Sequence, residues 1–153
     1  MYTRILVPLD GSEMAERALG HAVHMADIFG AELILLRAAF LDGVPDPDLG
    51  EVQRVLIHES ETYLSEVART LQGGGRCVRT VACWGKAAEA VIDYAGGQAV
   101  SVVVMATHGH SGPERWPIGS IAEKVLRSMR VPVLLIRGSV SSDETSETRQ
   151  SVR

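Results

Sequence analysis

A chain of 153 residues is long enough for one domain with a full core, and 46% hydrophobic against 22% charged residues is an ordinary globular balance. The formal net charge of -4, with no Lys/Arg run to track phosphates, argues against a nucleic-acid partner. No apolar run approaches the roughly 20 residues that span a bilayer, so no membrane partner is expected.

Arg4 precedes only a short apolar run, broken by Pro8 and Asp10, which is not the pattern of a secretion leader. That run, Ile5-Leu6-Val7-Pro8-Leu9, reads as a central strand buried on both faces. Pro8 cannot donate a ladder bond, so strand pairing is expected to stop there. Asp10-Gly11-Ser12 turns the chain, with Ser12 as N-cap and Glu13 and Glu16 well placed in the first turn of a helix. Ala15, Ala18, Leu19, Ala22, Val23, Ala26 and Phe29 repeat at helical spacing until Gly30 stops the helix.

Leu33 to Ala38 forms a second continuous strand, followed by a loop rich in proline and aspartate from Leu41 to Asp48. A long helix from about Leu49 to Leu71 ends at Gly73-Gly74-Gly75. Cys77 to Cys83 is a third strand, more alternating and so nearer an edge. Its two cysteines lie roughly 20 Å apart at about 3.3 Å per residue, too far to pair within the strand. They read as reduced core thiols of a cytoplasmic protein. Lys86 to Ala95 is a third helix, closed by Gly96-Gly97. Val100 to Ala106 is the fourth strand, Ser120 to Met129 the fourth helix, and Val131 to Ile136 the fifth strand.

Apolar strands alternating with helices call for a parallel sheet covered on both faces. After Ile136 the chain turns polar and loses periodicity, which divides it into a domain over 1–137 and a disordered polar tail over 138–153. In such sheets ligands sit beyond the carboxyl ends of the strands, at the switch in winding. If the first and fourth strands are neighbours there, Pro8-Leu9-Asp10, Arg37-Ala38 and Met105-Ala106-Thr107-His108-Gly109 converge on one crevice.

The loop after the fourth strand carries Gly109, Gly112 and Gly119 and leads into the helix opening Ser120-Ile121-Ala122-Glu123. Glycines let backbone N–H groups approach a ligand, and a helix N-terminus presents free donors and partial positive charge, so this is a candidate phosphate site. Ser120 with Glu123 also fits a capping box, which needs no ligand. Asp10 is either a ligand contact or a turn residue before the first helix. Of His108, His110 and Arg115, in or beside this loop, His110 or Arg115 could supply charge to an anion; alternatively His108 packs under the loop and the other two face solvent. His21 and His24, on one helix face without a carboxylate or cysteine pattern, do not read as a metal site. Neither G-x-G-x-x-G after the first strand nor a G-K-[ST] loop is present.

The opening Ile5 to Ser12, the segment Thr107-His108-Gly109 followed after nine residues by Gly119-Ser120-Ile121-Ala122-Glu123-Lys124-Val125, and the ending Val131 to Arg137 together resemble the universal stress protein family. The resemblance covers nearly all of residues 2–137. It implies a three-layer α/β/α sandwich: a five-stranded parallel open sheet with four helices, Rossmann-like and of the adenine nucleotide alpha hydrolase-like kind. It is to the ATP-binding branch, whose motif is Gly-x-x-Gly, nine residues, Gly-Ser/Thr. Gly109, Gly119 and Ser120 match, and Ala106 stands where the motif has its first glycine, so weakened or altered binding is expected there. The implied nucleotide-binding set is Pro8, Leu9, Asp10, Ala38, Met105, Ala106, His108, Gly109, His110, Gly119, Ser120 and Ile121. In it Asp10 meets the adenosine part, Pro8 and Leu9 border the base, the Ala38 backbone reads the adenine edge, and Gly109, Gly119 and Ser120 hold the phosphates, with Mg²⁺ accompanying them. Read from the residues alone, the Gly119 and Ser120 N–H groups would face a phosphate.

The function so implied is an ATP-binding regulatory protein of the stress response, not an enzyme. A slow Mg²⁺-dependent ATPase or phosphotransferase using Asp10, and a nucleotide-free dimeric scaffold, are the alternatives. A homodimer joined through Val131 to Ile136 is also implied, and that apolar last strand at a sheet edge invites such pairing.

Overall fold

The computed structural model describes residues 1–41, 46–108 and 118–137, with the side chains of 46–49 excepted. The expectations for Gly109, His110, Gly112 and Arg115, for most of the loop after Leu41, and for the tail 138–153 lie outside the described residues.

The apolar runs become strands β1 (Arg4–Pro8), β2 (Glu32–Ala39), β3 (Val78–Trp84), β4 (Val102–Ala106) and β5 (Val133–Ile136). They form one sheet in the order β3-β2-β1-β4-β5, parallel throughout. β1, β2 and β4 hold the centre because Ile5–Val7, Leu33–Leu36 and Val102–Ala106 are apolar on both faces and buried. β3, with Arg79 and Thr80 exposed, takes one edge, as its alternation predicts.

Four helices cover the sheet: α1 (Glu13–Phe29), α2 (Asp46–Leu71), α3 (Ala87–Gly97) and α4 (Ser120–Ser128). Strand alternation sorts the side chains into two cores. Ile5, Val7, Leu33, Leu35, Val102 and Val104 pack under the alanine face of α1 and under Leu64 and Ala68 of α2. Leu6, Ile34, Leu36, Val103 and Met105 pack under Ala88, Val91 and Ala95 of α3 and Ala122 and Val125 of α4. Each fully buried Leu or Ile contributes about 1.5–3 kcal/mol by leaving water.

Several boundaries differ from the expected ones. α2 begins at Asp46, because Pro47 in a first turn lacks only an N–H that has no helical acceptor anyway. Gly96 and Gly97 lie inside the end of α3, and the left-handed residue after it is Ala99, with φ 50°. β5 starts at Val133, although the Pro132 carbonyl still accepts the Val103 N–H at 3.0 Å. Both cysteines are free, but Cys77 lies just outside β3 and is exposed, so it is not a core thiol; Cys83 is half-buried.

Pro8 ends pairing on one side only. On the β2 side the ladder continues past it, since the Leu9 N–H donates to the Leu36 carbonyl at 2.8 Å. By alternation Pro8 turns its nitrogen toward β4, where no hydrogen is left to donate. Pairing of β1 with β4 accordingly stops at Leu6↔Val103. The two central strands part above that rung, and the parting is the floor of a crevice.

Candidate functional site

The crevice lies over the carboxyl ends of β1, β2 and β4 and encloses about 710 Å³, part of it open to solvent. It is lined by Pro8, Leu9, Asp10, Ala15, Leu36, Ala38, Ala87, Val91, Met105, Ala106, Thr107, His108, Gly119, Ser120, Ile121 and Ala122. Ten of the twelve expected site residues are therefore brought together, the other two being Gly109 and His110, outside the described residues.

One wall is apolar: Leu36, Val91 and Met105 rise from the α3/α4 core. Ala38 stands at its rim. Alternation along β2 turns the Ala38 N–H and carbonyl toward the β1 side, past the last β1–β2 bond from Leu9 to Leu36, so this strand edge faces the crevice.

Asp10 is the one carboxylate of the described lining. Its Oδ1 accepts the Ser12 N–H at 2.9 Å and the Ser12 hydroxyl at 2.6 Å. The Ser12 Oγ in turn accepts the Ala15 N–H at 3.1 Å and caps α1. Asp10 is thus both a turn residue and a crevice residue; the two readings are not exclusive.

The opposite pole is the start of α4. The capping box is overturned here: Gly119 is the N-cap, Ser120 is already inside the helix, and no side chain caps it. Glu123 instead bonds Arg127 one turn on, at 3.0 Å. The N–H groups of Ser120, Ile121 and Ala122 have no acceptor within the helix, which leaves them directed at whatever occupies this end. The expected use of the Gly119 N–H is also corrected, because it donates to the Thr107 carbonyl at 2.7 Å. Gly119 is needed for closeness instead: a β-carbon there would stand 3.0 Å from that carbonyl oxygen and 3.7 Å from His108 Cδ2.

His108 is half-buried between these groups. Its Nδ1 lies 3.1 Å from the Thr107 Oγ1, and its buried Nε2 has no hydrogen-bond partner among the described residues. A buried polar atom left so is costly unless a ligand or water meets it. Ala106 is 7% exposed and has no left-handed backbone, so its methyl adds bulk to the wall without strain.

Leu36, Ala15, Ala87, Val91 and Ala122 also line the crevice and were not expected to; Thr107, in the stretch expected to converge there, lines it as well. Thr107, between Ala106 and His108 at the end of a buried strand, had a positional signal. The α3 residues had none, since only the packing of that helix brings Ala87 and Val91 over β2.

The profile of the universal stress protein family matches residues 1–137. A universal stress protein of Thermus aquaticus is 32% identical, the match covering 90% of this chain and all of that one. A solved protein of Methanocaldococcus jannaschii superposes with TM-score 0.81 at 26% identity, covering 92% of this chain and 99% of that one. The fold is shared at 22% identity by a universal stress protein in complex with cAMP, with TM-score 0.68, covering 90% of this chain and 99% of that one. An Arabidopsis thaliana family protein with AMP bound shares the fold at 12% identity and TM-score 0.66, covering 95% of this chain and 96% of that one.

Proposed function

The chain belongs to the universal stress protein family, and on that premise we propose that it binds an adenine nucleotide, ATP or a close relative, as a regulatory protein of the stress response. The observation that carries this is the polarity of the crevice. An apolar wall of Leu36, Val91 and Met105 suits a planar base, and the free strand edge at Ala38 suits its hydrogen-bonding rim. The Asp10 carboxylate suits sugar hydroxyls, and the open N–H groups of Ser120 and Ile121, with His108 Nε2, suit phosphates. Two proteins of this fold are described with AMP and with cAMP, which is consistent with the reading.

Mg²⁺ would enter on the phosphates, for no group of three or more potential ligands occurs among the described residues. The role proposed is binding, not turnover: Asp10 is the one carboxylate of the described lining, and its Oδ1 already takes two hydrogen bonds within its own turn. Steady ATP hydrolysis abolished by Asp10→Asn, with binding retained, would replace this with the ATPase reading. The protein is further proposed to be cytoplasmic, in keeping with its free thiols. It is also proposed to form a homodimer along the β5 edge, where Leu134 is 38% exposed.

The test is to denature the purified protein, identify any nucleotide released, and titrate the stripped protein with ATP. Neither release nor binding at millimolar ATP would remove the proposal.

A further inference from the structure

Arg37 is the charged member of an apolar row. Leu33 and Leu35 point from β2 into the α1/α2 core and are wholly buried, and Arg37 follows them at the same alternation. A half-buried guanidinium needs compensation. Among the described residues no carboxylate forms an ion pair with it.

Its contacts are of another kind. The guanidinium lies over the Tyr63 ring, 4.8 Å from the centroid. Its two Nη atoms stand 3.4 Å from where a β-carbon of Gly11 would be. The Tyr63 hydroxyl donates to Glu16 Oε1 at 2.7 Å, which fixes the ring between α2 and α1. Burial first, and then the Glu16 bond, pushes the Tyr63 hydroxyl far above its ordinary titration range; Asp10 adds to the rise and Arg37 opposes it. Asp10, Glu16 and Arg37 therefore act on one locality. With the carboxylates of Asp10 and Glu16 acting on the same locality, the guanidinium is a poor receptor for a free anion.

Arg37 stands beside the turn that holds Asp10, filling the space a side chain at Gly11 would need. Gly11 adopts φ 87°, a left-handed conformation, and is the middle residue of the turn in which Asp10 binds Ser12. A turn closed by its own side chains can still rock as a unit, and the planar cation on its back prevents that.

We propose that Arg37 is a positioning residue: stacked on Tyr63 and seated against Gly11, it fixes the Asp10 turn so that the carboxylate faces the sugar of the bound nucleotide. The effect on ligand rests on the adenine-nucleotide reading above; the effect on the turn does not. Arg37→Met removes the planar cation, and Arg37→Lys keeps charge without the stack.

Two measurements test it. In the ligand-free protein, Arg37→Met speeds hydrogen exchange at the Ser12 amide about tenfold, with the β2 amides unchanged and Arg37→Lys in between. In titrations, Arg37→Met shrinks the preference for ATP over 2′,3′-dideoxy-ATP about fivefold, because only ATP offers hydroxyls to Asp10. A uniform loss of affinity for both ligands would mark Arg37 as merely structural and overturn the proposal. Unchanged Ser12 exchange overturns it as well, and Arg37→Lys keeps both measurements available if Arg37→Met does not fold. If the unsubstituted protein binds neither nucleotide, the nucleotide reading falls, and Ser12 exchange alone still decides whether Arg37 holds the turn.

Discussion

Gly119 donates its N–H to the Thr107 carbonyl at 2.7 Å, and a β-carbon on Gly119 would stand 3.0 Å from the same oxygen. That one contact sets how close α4 begins to the end of β4. Gly119→Ala must push the two apart by a few tenths of an ångström, and is expected to cost about 1–3 kcal/mol of stability as overpacking does. The same shift moves the open N–H groups of Ser120 and Ile121, so ATP affinity should fall about tenfold. Gly119→Val should retain a native far-ultraviolet spectrum with a larger loss of binding. Unchanged affinity in calorimetric titration would show that this helix end does not hold phosphates.

Ala106 presents the opposite case. Its backbone is unstrained and its methyl narrows the crevice. Ala106→Gly is expected to raise ATP affinity about threefold while lowering stability by about 0.5–1 kcal/mol, the usual effect of glycine within a strand. Binding and thermal melts on one preparation check both signs, and weaker binding would mean the methyl supports the ligand.

The two outer helices on the α3/α4 side are tied by Lys124 and Glu89, and that pairing holds the Glu89 carboxyl below its ordinary value of 4.5. A depressed carboxylate contributes stability above its unfolded-state pKa and loses it as pH falls through the folded value. Glu89→Gln should therefore melt below the unsubstituted protein at about pH 7, and the gap should close below about pH 4. A gap that persists in acid would assign the effect to packing.

The free thiols differ in reach. Cys77 is exposed, while burial raises the Cys83 thiol pKa and lowers its thiolate fraction. A thiol reagent at about pH 8 should modify one equivalent quickly and a second slowly. Cys77→Ser should remove the fast phase and leave the slow one.

On the proposed dimer, β5 offers an edge that is unpaired among the described residues, with Leu134 partly exposed. Leu134→Glu should shift sedimentation from dimer to monomer and leave the nucleotide crevice intact. A monomer at micromolar concentration before substitution would refute that interface.

Most of the fold was legible because its signals are local. The runs at Ile5, Leu33 and Val102 read as strands covered on both faces, and the ends of α1 are marked by the Ser12 side chain, which caps the first turn, and by Gly30, whose left-handed backbone few residues adopt. The crevice was half legible. Its loops announce themselves through Asp10, Gly119 and Ser120, but the wall from α3 depends on how far that helix leans over β2. At Gly119 the sequence suggests an N–H exposed to a ligand, whereas the chain uses the missing side chain to bring two backbones together. The misread capping box has a similar cause, since spacing alone does not tell whether a serine stands before a helix or inside it.

Pro8 has a consequence of another order. The floor of the crevice is set by an absent hydrogen atom in the middle of the sheet, below the loops that surround it. Loops can then be rewritten without closing that gap, whereas restoring a hydrogen-bearing residue at position 8 would let β1 and β4 zip one rung further. In this molecule recognition can drift while the crevice stays open, because the opening belongs to the scaffold.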